Sequence, residues 1–284
     1  MIQEFVHAWS LFANSWITGW LVAATLALIG VVVIARNQVF VGAALSQAST
    51  LGIAAAMWVG TLAGPTGRGL AESDVFLTTV AVIVAVVGAL ATARTSRPGR
   101  ESREGMMAWL FLLGAAGSIV VVSRSPHGME EVRRLFESSI IGATRADVAA
   151  FAAAALATAA AIAWQWRAIL LWIMDPATAQ ASGVPVRRME TVSAVWLGLG
   201  VGLAIRASGT LYTFGCLALP ALVAKSLCRE VRTMFFVAPC VAVAAGVIGF
   251  VVANSYDFPP AQMATCISAV ALPLAWSVRA LRRR

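Results

Sequence analysis

The sequence predicts an all-α, polytopic integral membrane protein with eight or nine transmembrane helices. Hydrophobic residues make up 60% of the 284-residue chain and charged residues only 12%, and the mean hydropathy is +0.83. An ordinary soluble domain carries about 25% charged residues. Apolar runs of about 20 residues, the length that a spanning helix needs, recur along the whole chain. We therefore interpret residues 1–284 as a single transmembrane domain.

Nine apolar runs are candidate spans, and three of them contain a lone proline that can kink a membrane helix. The prolines are Pro220, Pro239 and Pro273. The runs are Trp16–Ala35, Val39–Ala63, Val75–Ala93, Met106–Val122, Ala149–Trp172, Thr191–Ala207, Leu211–Leu227, Met234–Ala253 and Met263–Val278. The preceding stretch Phe5–Ala13 is also apolar, so either the first run begins earlier or this stretch lies on the membrane surface. If the protein has eight spans instead of nine, one run near the N-terminus either merges with its neighbour or does not cross the membrane.

The basic residues predict the orientation of these spans, because cytoplasmic loops are enriched in Lys and Arg. If the C-terminal arginines lie in the cytoplasm, alternation of the nine spans places 15 basic residues on that side and 6 on the other. This split favours nine spans with the N-terminus outside. The net charge of +8 therefore sits in loops and the tail, which indicates contact with lipid rather than nucleic acid.

The acidic residues and cysteines exclude several function classes. All thirteen Asp and Glu fall in loops or at span ends, whereas a carrier driven by protons or sodium usually needs an intramembrane carboxylate. The chain also lacks a G-x-x-x-x-G-K-[ST] phosphate loop, so it does not supply an ATPase. The four cysteines show no C-x-x-C spacing and are interpreted as reduced packing residues, with Cys216 or Cys266 as a less favoured soft-metal contact.

Small residues crowd the second run, VFVGAALSQASTLGIAAAMWVG. Gly42 and Ser46 lie one helical turn apart, and Gly52 follows, so a neighbouring backbone can approach closely. Ala43 and Gln47 share a face because they are four residues apart. We expect Gly42, Gly52 and Pro220 to serve helix packing.

The second run resembles the second spanning helix of the ABC transporter permeases that import zinc, manganese or iron. The matching residues are Val39, Phe40, Val41, Gly42, Ala44, Leu45, Ser46, Ala48, Leu51, Gly52, Ile53 and Ala54. Where that family carries Asp and His, this chain has Ala43 and Gln47, so no metal ligand is certain. The resemblance implies that Ala43, Ser46 and Gln47 line a substrate path. Alternatively, Gln47 only hydrogen-bonds a neighbouring helix.

The loop Trp172–Glu190, WIMDPATAQASGVPVRRME, carries the signals of a short capped helix. Asp175 can cap it, Pro176 suits the first helical position, and Gly183 can end it. Two turns of helix are too short to be stable without a partner surface. Asp175, Pro176, Ala179 and Gly183 resemble the family's cytoplasmic coupling segment, although Ala177 replaces the family's Glu. The resemblance implies that this loop, about residues 172–190, docks on an ATPase.

Two further stretches extend the resemblance across most of the chain, from Arg36 to Pro260. One is Val132–Asp147, and it matches the family pattern through Leu135, Phe136, Ile140, Ile141 and Asp147. The other runs from Ser208 to Ala221 and matches the family pattern through Ser208, Gly209, Thr210, Leu211, Leu217, Ala218, Leu219, Pro220 and Ala221.

The resemblance implies the permease subunit of an ABC importer for a divalent metal ion or its chelate, in the cytoplasmic (inner) membrane. It implies no enzymatic activity and no cofactor in this chain. The expected partners are a cytoplasmic ATPase, an extracytoplasmic metal-binding protein, a second permease chain of the same or another type, and membrane lipid. Two alternatives stay open: a non-liganding partner permease in a heteromeric importer, and a secondary carrier of a neutral solute.

Overall fold

The computed structural model describes residues 2–62, 73–94, 103–123 and 140–282, and every regular element within these ranges is helical. A 3₁₀ turn, Ile140–Gly142, precedes α5. The α-helices are α1 (Ile2–Ala35), α2 (Val39–Leu62), α3 (Asp74–Arg94), α4 (Arg103–Val122), α5 (Arg145–Trp164), α6 (Trp166–Met174), α7 (Pro176–Ala181), α8 (Val186–Leu227), α9 (Val231–Tyr256) and α10 (Pro260–Leu281).

Eight helices in the described residues, all except α6 and α7, are long and apolar enough to cross a membrane. The predicted fold class is therefore confirmed. Helix α8 has 42 residues, which would reach about 63 Å, roughly twice the bilayer core, if they formed one straight helix. Its backbone leaves helical geometry at Gly209, where φ is 77° and ψ is 170°. We call residues 186–208 α8a and residues 210–227 α8b, and these segments hold the two separate runs predicted from the sequence.

The structure differs from the sequence prediction at the fifth run, whereas the first run begins early, as one of the two alternatives for Phe5–Ala13 allowed. Instead of one span over Ala149–Trp172, α5 ends at Trp164, and the chain turns at Gln165 before α6 begins. A capping box between Thr144 and Asp147 starts α5 early, so its 20 residues already reach about 30 Å. Helix α1 begins at Ile2, so Phe5–Ala13 is continuous with the first span.

The described residues form two compact units. Unit 1 comprises Met1–Val39, Ser139–Met189 and Leu211–Arg284. Within it, α1 packs against α5 and α9, and α9 packs against α10. The hydroxyl of Tyr212 donates a hydrogen bond to the Gly19 carbonyl at 3.0 Å, and Lys225 reaches Asn37 at 2.9 Å. The later residue of α1 contacts the later residue of α8b in these two pairs, so α1 and α8b run parallel.

Unit 2 comprises Phe40–Ser138 and Glu190–Thr210. Two glycines let α8a approach α3 closely: a β-carbon built on Gly198 would lie 2.6 Å from Cα of Val86, and one built on Gly202 would lie 2.5 Å from Cα of Val82. The positions on α3 decrease as those on α8a increase, so the two helices are antiparallel. Only residues without a side chain permit this backbone distance.

Candidate functional site

The candidate path face is formed by Ala43, Ser46 and Gln47 on α2, at positions i, i+3 and i+4 of one helix. Ala43 and Ser46 are buried, and Gln47 is half-buried. The Ser46 hydroxyl and the Gln47 side-chain carbonyl oxygen are both buried, and neither has a hydrogen-bond partner among the described residues. A buried polar atom without a partner is costly, so each of these two oxygens has an unused hydrogen-bonding capacity that the described residues do not satisfy.

Helices α3 and α4 hold this part of α2 in place. Ser49 donates a hydrogen bond to the Ala81 carbonyl on α3 at 3.1 Å. A β-carbon built on Gly52 would lie 2.7 Å from Cγ2 of Val84, so Gly52 sits at the α2–α3 contact. A β-carbon built on Gly114 of α4 would lie 2.6 Å from both the Gln47 oxygen and the Ala48 nitrogen of the backbone. The backbone of α4 thus packs against the α2 backbone at the Gln47–Ala48 peptide.

Gly114 was not singled out in the sequence, although the small residues of its run, LLGAAGS, are the signal that could have found it. The other two predicted packing residues are also buried. Gly42 lies on α2, one turn before Ser46. Pro220 lies on α8b, next to Ala221, whose β-carbon would be 3.5 Å from a β-carbon built on Gly30 of α1. Pro220 therefore lies where α8b packs on α1.

The described residues contain no group of three or more His, Cys, Asp or Glu that could hold a metal ion. The path face offers neutral oxygens only, from a hydroxyl and an amide. Such oxygens can contact a hydrated or chelated cation, but they lack the charge and the imidazole nitrogen that bind zinc tightly. All four cysteines are free thiols, and only Cys216 is buried.

The short capped helix predicted after Asp175 is present as α7. Asp175 accepts hydrogen bonds from the backbone N–H groups of Ala177 at 3.0 Å and Thr178 at 3.2 Å, and from the Thr178 hydroxyl at 2.5 Å. Pro176 occupies the first turn. The Thr178 hydroxyl, together with the backbone N–H groups, lowers the pKa of Asp175 from its ordinary value of 3.8. The carboxylate is therefore charged, and the cap is complete, throughout the neutral range.

Gly183 ends α7 as the sequence predicted. Its φ is +83°, its N–H bonds the Gln180 carbonyl at 3.1 Å, and the Val184 N–H bonds the Ala179 carbonyl at 2.9 Å. This pair of bonds is the Schellman arrangement, in which a left-handed residue closes the helix. Ala179 is fully buried, whereas Gly183 is exposed and a β-carbon built there would meet nothing within 4 Å. Backbone conformation alone therefore favours glycine at position 183.

The second predicted stretch, Val132–Asp147, lies partly outside the described residues, including Leu135 and Phe136. Its described part includes Ile140, which is buried in the 3₁₀ turn. It also includes Asp147, whose carboxylate accepts a hydrogen bond from the Thr144 backbone N–H at 2.7 Å. In the described structure, Asp147 caps the first turn of α5.

The model of the ABC 3 transport family matches residues 8–278, nearly the whole chain. The chain belongs to the ABC 3 transport family. The manganese transport system membrane protein MntC of Halalkalibacterium halodurans is 23% identical over 256 residues, which cover 90% of this chain and 83% of that relative. Because the family is one of ABC transport permeases, the predicted permease class is confirmed, and we drop the alternative of a secondary carrier.

Two solved structures share the fold of this ABC 3 family member. PsaBC from Streptococcus pneumoniae, in complex with Fab, superposes with a TM-score of 0.79 at 19% identity, covering 97% of this chain and 95% of that chain. An inward-facing metal-chelate type ABC transporter superposes with a TM-score of 0.71 at 16% identity, covering 93% of this chain and 84% of that chain. At these sequence identities, the two superpositions show that the fold is shared.

Proposed function

We propose that this permease moves a divalent metal ion, or a chelate of zinc, manganese or iron, inward across the cytoplasmic membrane. The match to the ABC 3 transport family over residues 8–278 carries this proposal. The manganese transport protein among its relatives supports metal as the substrate class. The two units together would make one transmembrane permease domain, residues 1–284.

Energy for transport would come from a separate cytoplasmic ATPase that docks on α7. The support is local: Asp175, Pro176 and Gly183 define both ends of a six-residue helix that stands between α6 and α8. A helix this short gains little from its own hydrogen bonds, so a fixed cap at each end suits a segment that must present one shape to a partner. An extracytoplasmic binding protein would deliver the metal from the other side.

The path face would contact the substrate through Ser46 and Gln47, with Ala43 leaving space beside them. Two buried oxygens without partners support this assignment. Since both are neutral, they would hold the metal weakly, which favours a substrate that keeps its water or chelating ligands. Weak contact is compatible with transport, because a substrate that binds too tightly at mid-path is slow to leave.

A second candidate function is a partner permease that pairs with a different, metal-liganding permease chain. The neutral path face favours this partner-permease function, because a heteromeric importer needs metal-binding side chains on only one of its two permease chains. Such a chain would keep α7 and its caps while contributing little to metal affinity. Co-purification of a second, non-identical permease with this chain would favour this role over a homodimer.

The test begins with the tagged permease purified from its native membranes together with whatever ATPase accompanies it. The complex is placed in liposomes, and ATP hydrolysis is measured with manganese, zinc or an iron chelate in the presence of the binding protein. We expect hydrolysis to rise with at least one of these substrates. A complex that binds its ATPase and hydrolyses ATP equally with and without every metal would contradict metal as the substrate.

A further inference from the structure

The C-terminal end of α1 has a fixed geometry. Asn37 adopts a left-handed conformation with φ of 55°, its N–H bonds the Ile34 carbonyl at 3.1 Å, and the Gln38 N–H bonds the Val33 carbonyl at 2.9 Å. These are the two bonds of a Schellman closure, with Asn in place of the usual Gly. Arg36, the residue before Asn37, is therefore held at a rigid helix end rather than in a free loop.

Arg36 reaches from this helix end to Trp172 on α6, 136 positions further along the chain. Its guanidinium lies 4.3 Å from the centre of the Trp172 ring, and its Nη1 donates to the Trp172 carbonyl oxygen at 3.4 Å. Trp172 is 2% exposed and Arg36 is half-buried, so the ring side of the cation–π contact is shielded from water. Shielding strengthens such a contact, and the planar guanidinium suits it better than an ammonium does.

From Trp172 the connection to the coupling helix is short and hydrogen-bonded. Helix α6 ends two residues later, at Met174, and the Asp175 N–H bonds the Leu171 carbonyl at 2.9 Å. Asp175 is both the C-cap residue of α6 and the N-cap residue of α7. Helices α6 and α7 also pack against each other. Because no unstructured residue separates Trp172 from α7, the two helices are suited to move together.

We propose that Arg36 is a positioning residue that transmits movement of the coupling helix to α1 through Trp172. The inference rests on the proposed function, since it assumes that an ATPase acts on α7. When docking displaces α7, α6 moves with it, and the Arg36–Trp172 contact pulls on the end of the first spanning helix. Breaking the contact leaves the ATPase bound and active but separates hydrolysis from transport.

Lys225 provides a matched control on the same helix end. Its ammonium donates to the Asn37 side-chain oxygen at 2.9 Å and to the Ile34 carbonyl at 3.3 Å, so it ties α1 to α8b and not to α6. Lys225→Ala removes a cation from the same place without touching Trp172. It should lower thermal stability while leaving the ratio of metal imported to ATP hydrolysed unchanged.

The experiment uses the complex of permease, ATPase and binding protein in liposomes, and it measures manganese uptake and ATP hydrolysis in parallel. Arg36→Ala and Trp172→Leu should each lower uptake per ATP about fivefold or more, the size of a modest coupling energy, with ATP hydrolysis retained. Trp172→Phe, which keeps an aromatic face, should stay close to wild type. The double variant should be no worse than either single variant, because both remove one contact.

A second measurement does not involve the ATPase. In the purified permease, Arg36→Ala should speed backbone amide exchange in α6 and α7, and Lys225→Ala should not. If wild type imports no metal, the proposed function fails, and the coupling role of Arg36 fails with it. If wild type imports metal while Arg36→Ala keeps both the wild-type uptake per ATP and the wild-type amide exchange, the link alone is overturned.

Discussion

Arg206 and Asp74 form an ion pair between α8a and α3. Asp74 is the first residue of α3, and Arg206 lies three residues before the break at Gly209, so the end of α8a and the start of α3 lie on the same side of unit 2. The nine-span prediction places these two ends together outside the cytoplasm. Because the Asp74 side chain is 78% exposed, the pair indicates topology more than stability.

The topology predicts opposite accessibility for the two ends of α9. In a variant whose native cysteines are replaced, Asp257→Cys should react with an impermeant thiol reagent added outside, and Glu230→Cys should not. These residues flank a 26-residue helix, so they lie on opposite sides of any membrane that it crosses. Labelling intact cells and then opened cells measures both. The reverse pattern would overturn the orientation and place α7 on the wrong side for an ATPase.

Gly183→Val should uncouple the ATPase without unfolding the membrane domain. A β-branched residue at φ of +83° costs about 1–2 kcal/mol or more, and this strain falls on the end of α7 alone. Uptake should fall strongly while the melting temperature in detergent changes little.

Gly183→Asn is the control, since Asn tolerates the left-handed conformation better than other non-glycine residues. The empty space around position 183 accommodates either side chain, so the two variants differ in backbone strain rather than in packing. Normal transport by the Val variant would show that Gly183 is an ordinary loop residue without a role in coupling.

Gly114→Ala should destabilise the permease and disturb the path face. The added methyl group would meet the backbone of Gln47 and Ala48, which cannot rotate away, so α4 must move off α2. Overpacking of this kind costs about 1–3 kcal/mol. The measurement is thermal unfolding in detergent, combined with metal-stimulated ATP hydrolysis.

Gly117→Ala on the same helix serves as the matched variant. There the added methyl group would meet the side chain of Leu51, at 3.0 Å from Cδ1, and a leucine side chain can shift. It should therefore be milder than Gly114→Ala. Equal melting temperatures for the two variants would show that the α2–α4 contact yields more easily than the structure indicates.

Ala43→Asp combined with Gln47→His should create metal affinity on the path face. The single change Ala43→Asp places a carboxylate in a buried position on a spanning helix, at a cost of about 2.5–3.5 kcal/mol if it lies at the membrane centre. It should therefore express poorly, and added metal should restore part of the yield because the cation stabilises the carboxylate.

The double variant should bind zinc or manganese measurably by calorimetry, whereas wild type should not at the same concentration. Gln47→His alone is the control for nonspecific imidazole binding. A folded double variant without metal binding would show that positions 43 and 47 do not line the path, and it would favour the partner-permease role.

The sequence predicted those structural features, such as helix caps and spans, that depend only on residues close together in the chain. The caps of α7 follow from Asp175, Pro176 and Gly183 within one short stretch, and the structure confirms their geometry. The spans likewise follow from continuous apolar runs. The break at Gln165 was missed because α5 and α6 form one apolar pattern, and only the early start of α5 at its capping box moves the boundary.

Contacts between distant segments could not be predicted in the same way. Arg36 served only as a basic residue in the topology count, and nothing in its neighbours indicates Trp172, 136 positions away. Gly114 is one of many small residues in apolar runs, and its role depends on which helix it faces. A single sequence contains the residue types for such contacts but not the pairing, which is decided by how the helices pack.

We propose that this permease imports a metal when an ATPase acts through α7. The most direct measurement is uptake of radioactive manganese or zinc into liposomes that contain the permease–ATPase complex, with the binding protein added on the extracytoplasmic side. We expect uptake that requires ATP, is lost in Gly183→Val and is kept in Gly183→Asn. ATP hydrolysis by a well-folded complex without uptake of manganese, zinc or an iron chelate would contradict metal import by this permease.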